Sequence, residues 1–172
     1  MSLRVTKAGI LTTVQDLGRH GARRFGVNPN GAMDRTAVQI INLLLGGDEN
    51  EAVLEMHFPA AEFVFEEPAF FAVGGADFGA TLSGRSVSNW RPCRAAAGDV
   101  LRFAERRRGN RAYLAVRGGF RLERWLASAS TNLLAATGGF AGRKLRVDDR
   151  LFFNRKRPRT KLSNSIFALL LH

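Results

Sequence analysis

The chain has 172 residues, 45% of them hydrophobic and 24% charged, with a formal net charge of +11. That size and balance support one globular core and exclude a disordered chain, and no apolar run approaches the roughly 20 residues a membrane helix requires. Cys93 is the single cysteine, which excludes an internal disulfide. With no basic-then-apolar leader at the N-terminus, it points to a reduced, cytoplasmic setting. From the N-terminus, short strands are predicted between turn residues: "LRVTKAG" at 3–9 and "ILTTVQ" at 10–15. A helix is predicted from Asp34, capped by Asp34 and stopped at Gly46 and Gly47, with Ala37, Ile40, Ile41, Leu44 and Leu45 on one face. Further strands follow at 52–58, 61–67, 69–75, 80–84, 99–105, 111–119 and 144–153. The stretch "EFVFE" at 62–66 alternates, while "AYLAV" at 112–116 is apolar throughout and reads as central. Many short strands with one helix predict a mainly β barrel or sandwich, since an open sheet of this size would expose its edges. "AGDVLRF" and "VDDRLFF" echo each other, each placing Asp in a turn before an apolar strand.

Composition changes at Asn154, where a basic stretch with Pro158 leads into an apolar run. Residues 154–172 are therefore read as a tail separate from the domain at 1–153. The tail holds five of the 26 basic residues and no acid, leaving 21 basic against 15 acidic residues elsewhere. Much of that remainder lies in "RFAERRRGNR" at 102–111. No nucleic-acid-binding signature accompanies this run, and it reads as a solvated loop.

The chemistry-bearing residues begin with "TTVQDLGRHG" at 12–21. Gln15 offers an amide, Asp16 a carboxylate, Arg19 a guanidinium and His20 an imidazole. Arginine forks bind carboxylates, so this turn suits a carboxylated or amide-bearing small molecule. The alternative is an Asp16–Arg19 surface ion pair in a glycine-rich turn. "GVNPNGAMD" at 26–34 delivers the chain to the helix start, where backbone N–H groups could bind an anion unless Asp34 caps them. "GGADFGATLSG" at 74–84 sets Asp77 among small residues, fitting close backbone approach or a bulge. "ATGGFAGRKL" offers Arg143 as an anion contact. The glycine groups match no nucleotide fingerprint, and His20, His57 and His172 lack metal-ligand spacing. Cys93 reads as an unremarkable thiol.

"GILTTVQDLGRHG" followed by "GVNPNGAMD" closely resembles the start of the biotin-dependent carboxyltransferase family, which includes allophanate hydrolase subunit 2, the C component of 5-oxoprolinase and the carboxyltransferase region of urea amidolyase. The resemblance continues in order through "AVLEMHFPAAEFVF", "FFAVGGADFGATLSGRSV", "AGDVLRF", "RAYLAVRGGF" and "SASTNLLAATGGFAGRKLRVDDRLFF", covering residues 3–153. It implies a cyclophilin-like β-barrel, one half of a two-subdomain protein, acting on a small amide such as urea or 5-oxoproline. It further implies catalytic roles for Asp16 and Arg19, and substrate contacts from Gln15, Asp34, Asp77 and Arg143. The implied partner resembles allophanate hydrolase subunit 1 or the B component of 5-oxoprolinase. Biotin, as carboxybiotin on a partner domain, or ATP would belong to the complex rather than to this chain. Asn30 stands where the family has Ser or Gly, and Asp148 where it has Gly. The family also continues beyond residue 153, where this chain has its tail. A carboxyltransferase or amidohydrolase component is therefore expected, with a non-catalytic regulatory subunit or an inactive truncated fragment as alternatives.

Overall fold

The structure, a computed structural model, describes residues 1–154. The tail reading therefore falls outside the described residues apart from Asn154 itself. Eleven strands occupy Ser2–Lys7 (β1), Thr12–Gln15 (β2), Val53–Met56 (β3), Glu62–Phe65 (β4), Ala69–Asp77 (β5), Ala80–Leu82 (β6), Arg85–Ser86 (β7), Cys93–Ala95 (β8), Val100–Phe103 (β9), Arg108–Val116 (β10) and Arg150–Phe152 (β11), with one α-helix at Arg35–Leu44 (α1). The mainly β class with one principal helix stands as expected. All pairings are antiparallel, in a six-stranded sheet ordered β11-β1-β4-β9-β6-β7 and a five-stranded sheet ordered β2-β3-β10-β5-β8.

Side-chain alternation explains how the layers stack. Leu3, Val5, Phe63, Phe65 and Leu101 from the six-stranded sheet meet Leu54, Met56, Phe71, Val73, Leu114 and Val116 from the other. The Phe65 and Phe71 rings lie 5.1 Å apart across this interface. Each such burial stabilises the fold by about 1.5–3 kcal/mol. The opposite face of the five-stranded sheet presents Val53, Ala72, Tyr113 and Ala115 to α1, which covers them with Ala37, Val38, Ile41 and Leu45. The 112–116 run is apolar throughout because β10 is buried on both faces.

Helix α1 starts where expected, with the Asp34 carboxylate accepting from the Ala37 N–H at 2.9 Å. Its buried face differs from the predicted stripe at two positions, with Val38 and Asn42 buried in place of Ile40 and Leu44. Val38 is fully buried, whereas Ile40 is 41% exposed. Asn42 is also buried, because its amide donates to the Glu49 and Glu51 carbonyls and ties the helix to the following turn.

Candidate functional site

The stretch 12–19 leads from β2 into a buried polar junction. The Asp16 carboxylate accepts from Gly18 N–H (2.8 Å), Ser128 Oγ (2.7 Å), Ala129 N–H (2.7 Å) and the Ser130 hydroxyl. Burial alone would raise its pKa, but these hydrogen bonds outweigh burial and hold it below the ordinary carboxylate value. Arg19 donates to the Ser130 carbonyl and lies 4.8 Å over the Trp125 ring. Gln15 donates to Thr13 Oγ1 at 3.1 Å, leaving its own Oε1 buried without a partner among the described residues. Asp16 and Arg19 are 0% and 1% exposed, so the surface ion pair weighed for this turn is excluded. The junction ties residues 15–19 to 128–131, and the Asp16 carbonyl also accepts from Ala32 N–H.

The other sequence-derived candidates lie elsewhere. Arg143 forms a two-pronged ion pair with Asp149, at 2.7 and 2.8 Å, and both its terminal nitrogens are engaged there. The hydrogen bond to Asp149 raises the Arg143 pKa. At the start of α1 the capped turn, one of the two readings weighed for 26–34, is what forms. Met33 N–H donates to Glu55, Asp34 N–H to the Tyr113 hydroxyl, and Ala37 N–H to Asp34. Asp77 accepts from Gly79 N–H at 2.8 Å and lines a groove that Asp34 also borders further along.

That groove is built by a disturbance between β5 and β10. Arg108 pairs with Asp77 and Ala112 with Gly75, so four steps along β10 face two along β5. Such a bulge leaves the ladder and re-aims its side chains outward. The bulged segment carries Arg108 and Arg111 into two adjoining lobes of about 650 and 290 Å³, which share Gly75, Trp90 and Arg108. Beneath them, Tyr113 donates to Glu55 at 2.9 Å and is buried; burial first, and then the Glu55 charge, push its pKa up. The phenol stays protonated and fixes the carboxylate. Arg111 Nε stands 3.6 Å from the same carboxylate. Arg107 is paired with Glu105 at 2.7 Å. Arg108 alone of the three groove arginines makes no side-chain hydrogen bond or ion pair among the described residues.

The sequence reading missed Glu55, Trp90, Arg108, Arg111 and Tyr113. The run at 102–111 read as a solvated loop because its charge density hid the strand that starts within it. The signal was the apolar 112–116 run, which carries strand structure back toward Arg108. Chemically, the groove combines an uncommitted guanidinium, an aromatic face and the Ser86 and Ser88 hydroxyls. That set suits a small planar amide bearing a carboxylate. Cys93 is partly buried, and burial raises its pKa, so it remains a thiol.

A family model for the carboxyltransferase domain, subdomains A and B, matches residues 25–168. The C component of 5-oxoprolinase from Escherichia coli (strain K12) is 41% identical over 151 residues, covering 87% of this chain and 48% of that protein. Urea amidolyase of Lachancea kluyveri is 34% identical over 151 residues, covering 87% of this chain and 8% of that protein. The crystal structure of the K. lactis urea amidolyase superposes with a TM-score of 0.86 at 32% identity, over 94% of this chain and 10% of that chain. The chain thus spans about half the length of the 5-oxoprolinase component it matches.

Proposed function

The chain belongs to the carboxyltransferase-domain family, subdomains A and B, and from that premise we propose that it is a component of a complex that carboxylates or opens a small amide. Residues 1–153 would be the N-terminal part of the domain, and the groove between β5 and β10 its contribution to substrate binding. The observation that carries this reading is the uncommitted Arg108 beside Trp90 in a groove whose other cations are already engaged. Arg108 would hold a substrate carboxylate, with the Ser86 and Ser88 hydroxyls orienting the amide. Asp16 and Arg19 would act by holding residues 128–131 in place rather than by touching substrate. Asp34 and Asp77 would border the substrate, while Gln15 and Arg143 would serve through their contacts within the chain.

The groove fits the carboxylate of carboxybiotin presented by a partner domain, because Arg108 is free to pair with it. When bound, that group supplies the carboxyl to be transferred. ATP use would belong to a partner resembling the B component of 5-oxoprolinase or allophanate hydrolase subunit 1.

A regulatory role without turnover in this chain is the second reading. It is favoured by the engagement of Asp16 and Arg143 in intramolecular contacts. Calorimetric titration with 5-oxoproline and with urea tests amide binding, and Arg108→Ala is expected to weaken binding of 5-oxoproline, which carries a carboxylate, about tenfold or more. Unchanged affinity would remove Arg108 from the site. Amide-dependent ATP hydrolysis on adding the partner protein selects the enzymatic reading, and its absence from a stable complex selects the regulatory one.

A further inference from the structure

Trp90 sits in the left-handed backbone region, at φ +64°, with its N–H donating to the Val73 carbonyl at 2.8 Å. Side chains of this size avoid that region, and held strain of this kind concentrates where a side chain must be aimed. The ring lies against Gly74. A Cβ on Gly74 would stand 2.8 Å from Trp90 Cζ3 and 2.5 Å from Ile41 Cγ2, so only glycine allows the ring to lie this low. Asn89 braces the turn by donating to the Ala76 carbonyl at 3.1 Å. Trp90 nonetheless remains 40% exposed as a residue and borders both lobes of the groove together with Arg108.

A ring fixed on a glycine floor, with area left open to a groove, presents a flat apolar face at little further cost in side-chain freedom. We propose that Trp90 is a stacking platform that makes the groove select a planar cyclic amide or ureido ring carrying a carboxylate over an open-chain neutral amide. The carboxylate reaches Arg108 while the amide plane lies on the indole. The inference rests on the groove being the substrate site, as argued above, and adds the determinant that separates ring from chain. An open-chain amide such as urea has a planar core but offers neither the ring area nor the charge.

The test uses the full chain in the Trp125→Phe background, so that Trp90 is the only indole. Titration with 5-oxoproline is expected to give a saturable change in Trp90 fluorescence and a red-shifted indole difference spectrum. Urea and acetate are expected to give neither. Trp90→Leu is expected to lower 5-oxoproline affinity about tenfold by calorimetry, while Trp90→Phe, which keeps a flat ring, stays within about threefold. Loss of affinity in Arg108→Ala with none in Trp90→Leu would overturn the stacking role and leave the groove standing. Absence of 5-oxoproline binding, or equal affinity in the parent and both variants, would overturn the groove and the stacking role together. Should Trp90→Leu fail to fold, the difference spectrum decides: no indole shift at saturating 5-oxoproline overturns the proposal.

Discussion

Asp148 and Gly98 occupy equivalent turns. Gly98 N–H donates to the Phe65 carbonyl, and the Asp99 carbonyl accepts from Phe65 N–H. Asp148 and Asp149 make the same exchange with Val5. Asp99 accepts from Ala96 N–H at 2.8 Å and Asp149 from Arg146 N–H at 2.7 Å. The preceding residue is left-handed in both, at φ +85° for Gly98 and +70° for Asp148. Only glycine adopts that conformation without steric cost. Asp148→Gly is therefore expected to stabilise the protein by about 0.5 kcal/mol, read as a higher urea midpoint. The exposed Arg4–Asp148 pair it removes contributes little by comparison. A second side chain, Asp16, carries a larger effect. Asp16→Asn leaves donors at the junction without their charged acceptor and is expected to cost about 2–4 kcal/mol. The folded pKa of Asp16 lies below its unfolded value, so its stabilisation is complete above the ordinary carboxylate range. It is lost as pH falls through the depressed value. Denaturant midpoints against pH are expected to show a shallower acid limb in the Asn variant than in the parent.

At the scale of elements, what was legible followed from local chemistry. Asp34 as cap and Gly46 as stop were readable because a cap needs only its own neighbours. The strands at 62–65 and 69–77 were readable because one or both faces are uniformly apolar. The faint echo between "AGDVLRF" and "VDDRLFF" proved to be a repeated turn, visible in the shared Asp. Strands β7 and β8 escaped notice because two or three residues carry no period, and Arg85, Ser86 and Arg94 are exposed. Strand β11 is shorter than the predicted 144–153, because the Arg146–Asp149 turn occupies its first half. The candidate site was the least legible part. Its residues come from the 86–90 turn, the β10 bulge and the approach to α1, and only their pairing with β5 and β3 brings them together. Glu55 and Tyr113 are a cross-strand pair on β3 and β10, a relation fixed by register and silent in either segment alone.

At the scale of the whole molecule, the two sheets differ in how their edges end. Residues 128–145 form no long strand, yet they close the outer edge of β2: Thr131 N–H donates to the Val14 carbonyl and Leu145 N–H to that of Thr12. The Asp16 junction holds this closing segment, so the polar turn at 12–21 is part of the sheet's construction. At the other side, among the described residues, β8 pairs only with β5, and β7 only with β6. Strand β10 lies between β3 and β5 with the core on one face and α1 on the other. Exchange of its inner amides requires both sheet neighbours and the helix to separate, which amounts to global unfolding. Hydrogen exchange followed by mass spectrometry is therefore expected to find residues 112–116 exchanging at the global unfolding free energy. Residues 85–86 and 93–95 would exchange orders of magnitude faster through local opening. If residues 112–116 instead exchanged with β8, the five-stranded sheet would be opening as one unit, and its helix-covered face would not be the rigid floor that the groove requires.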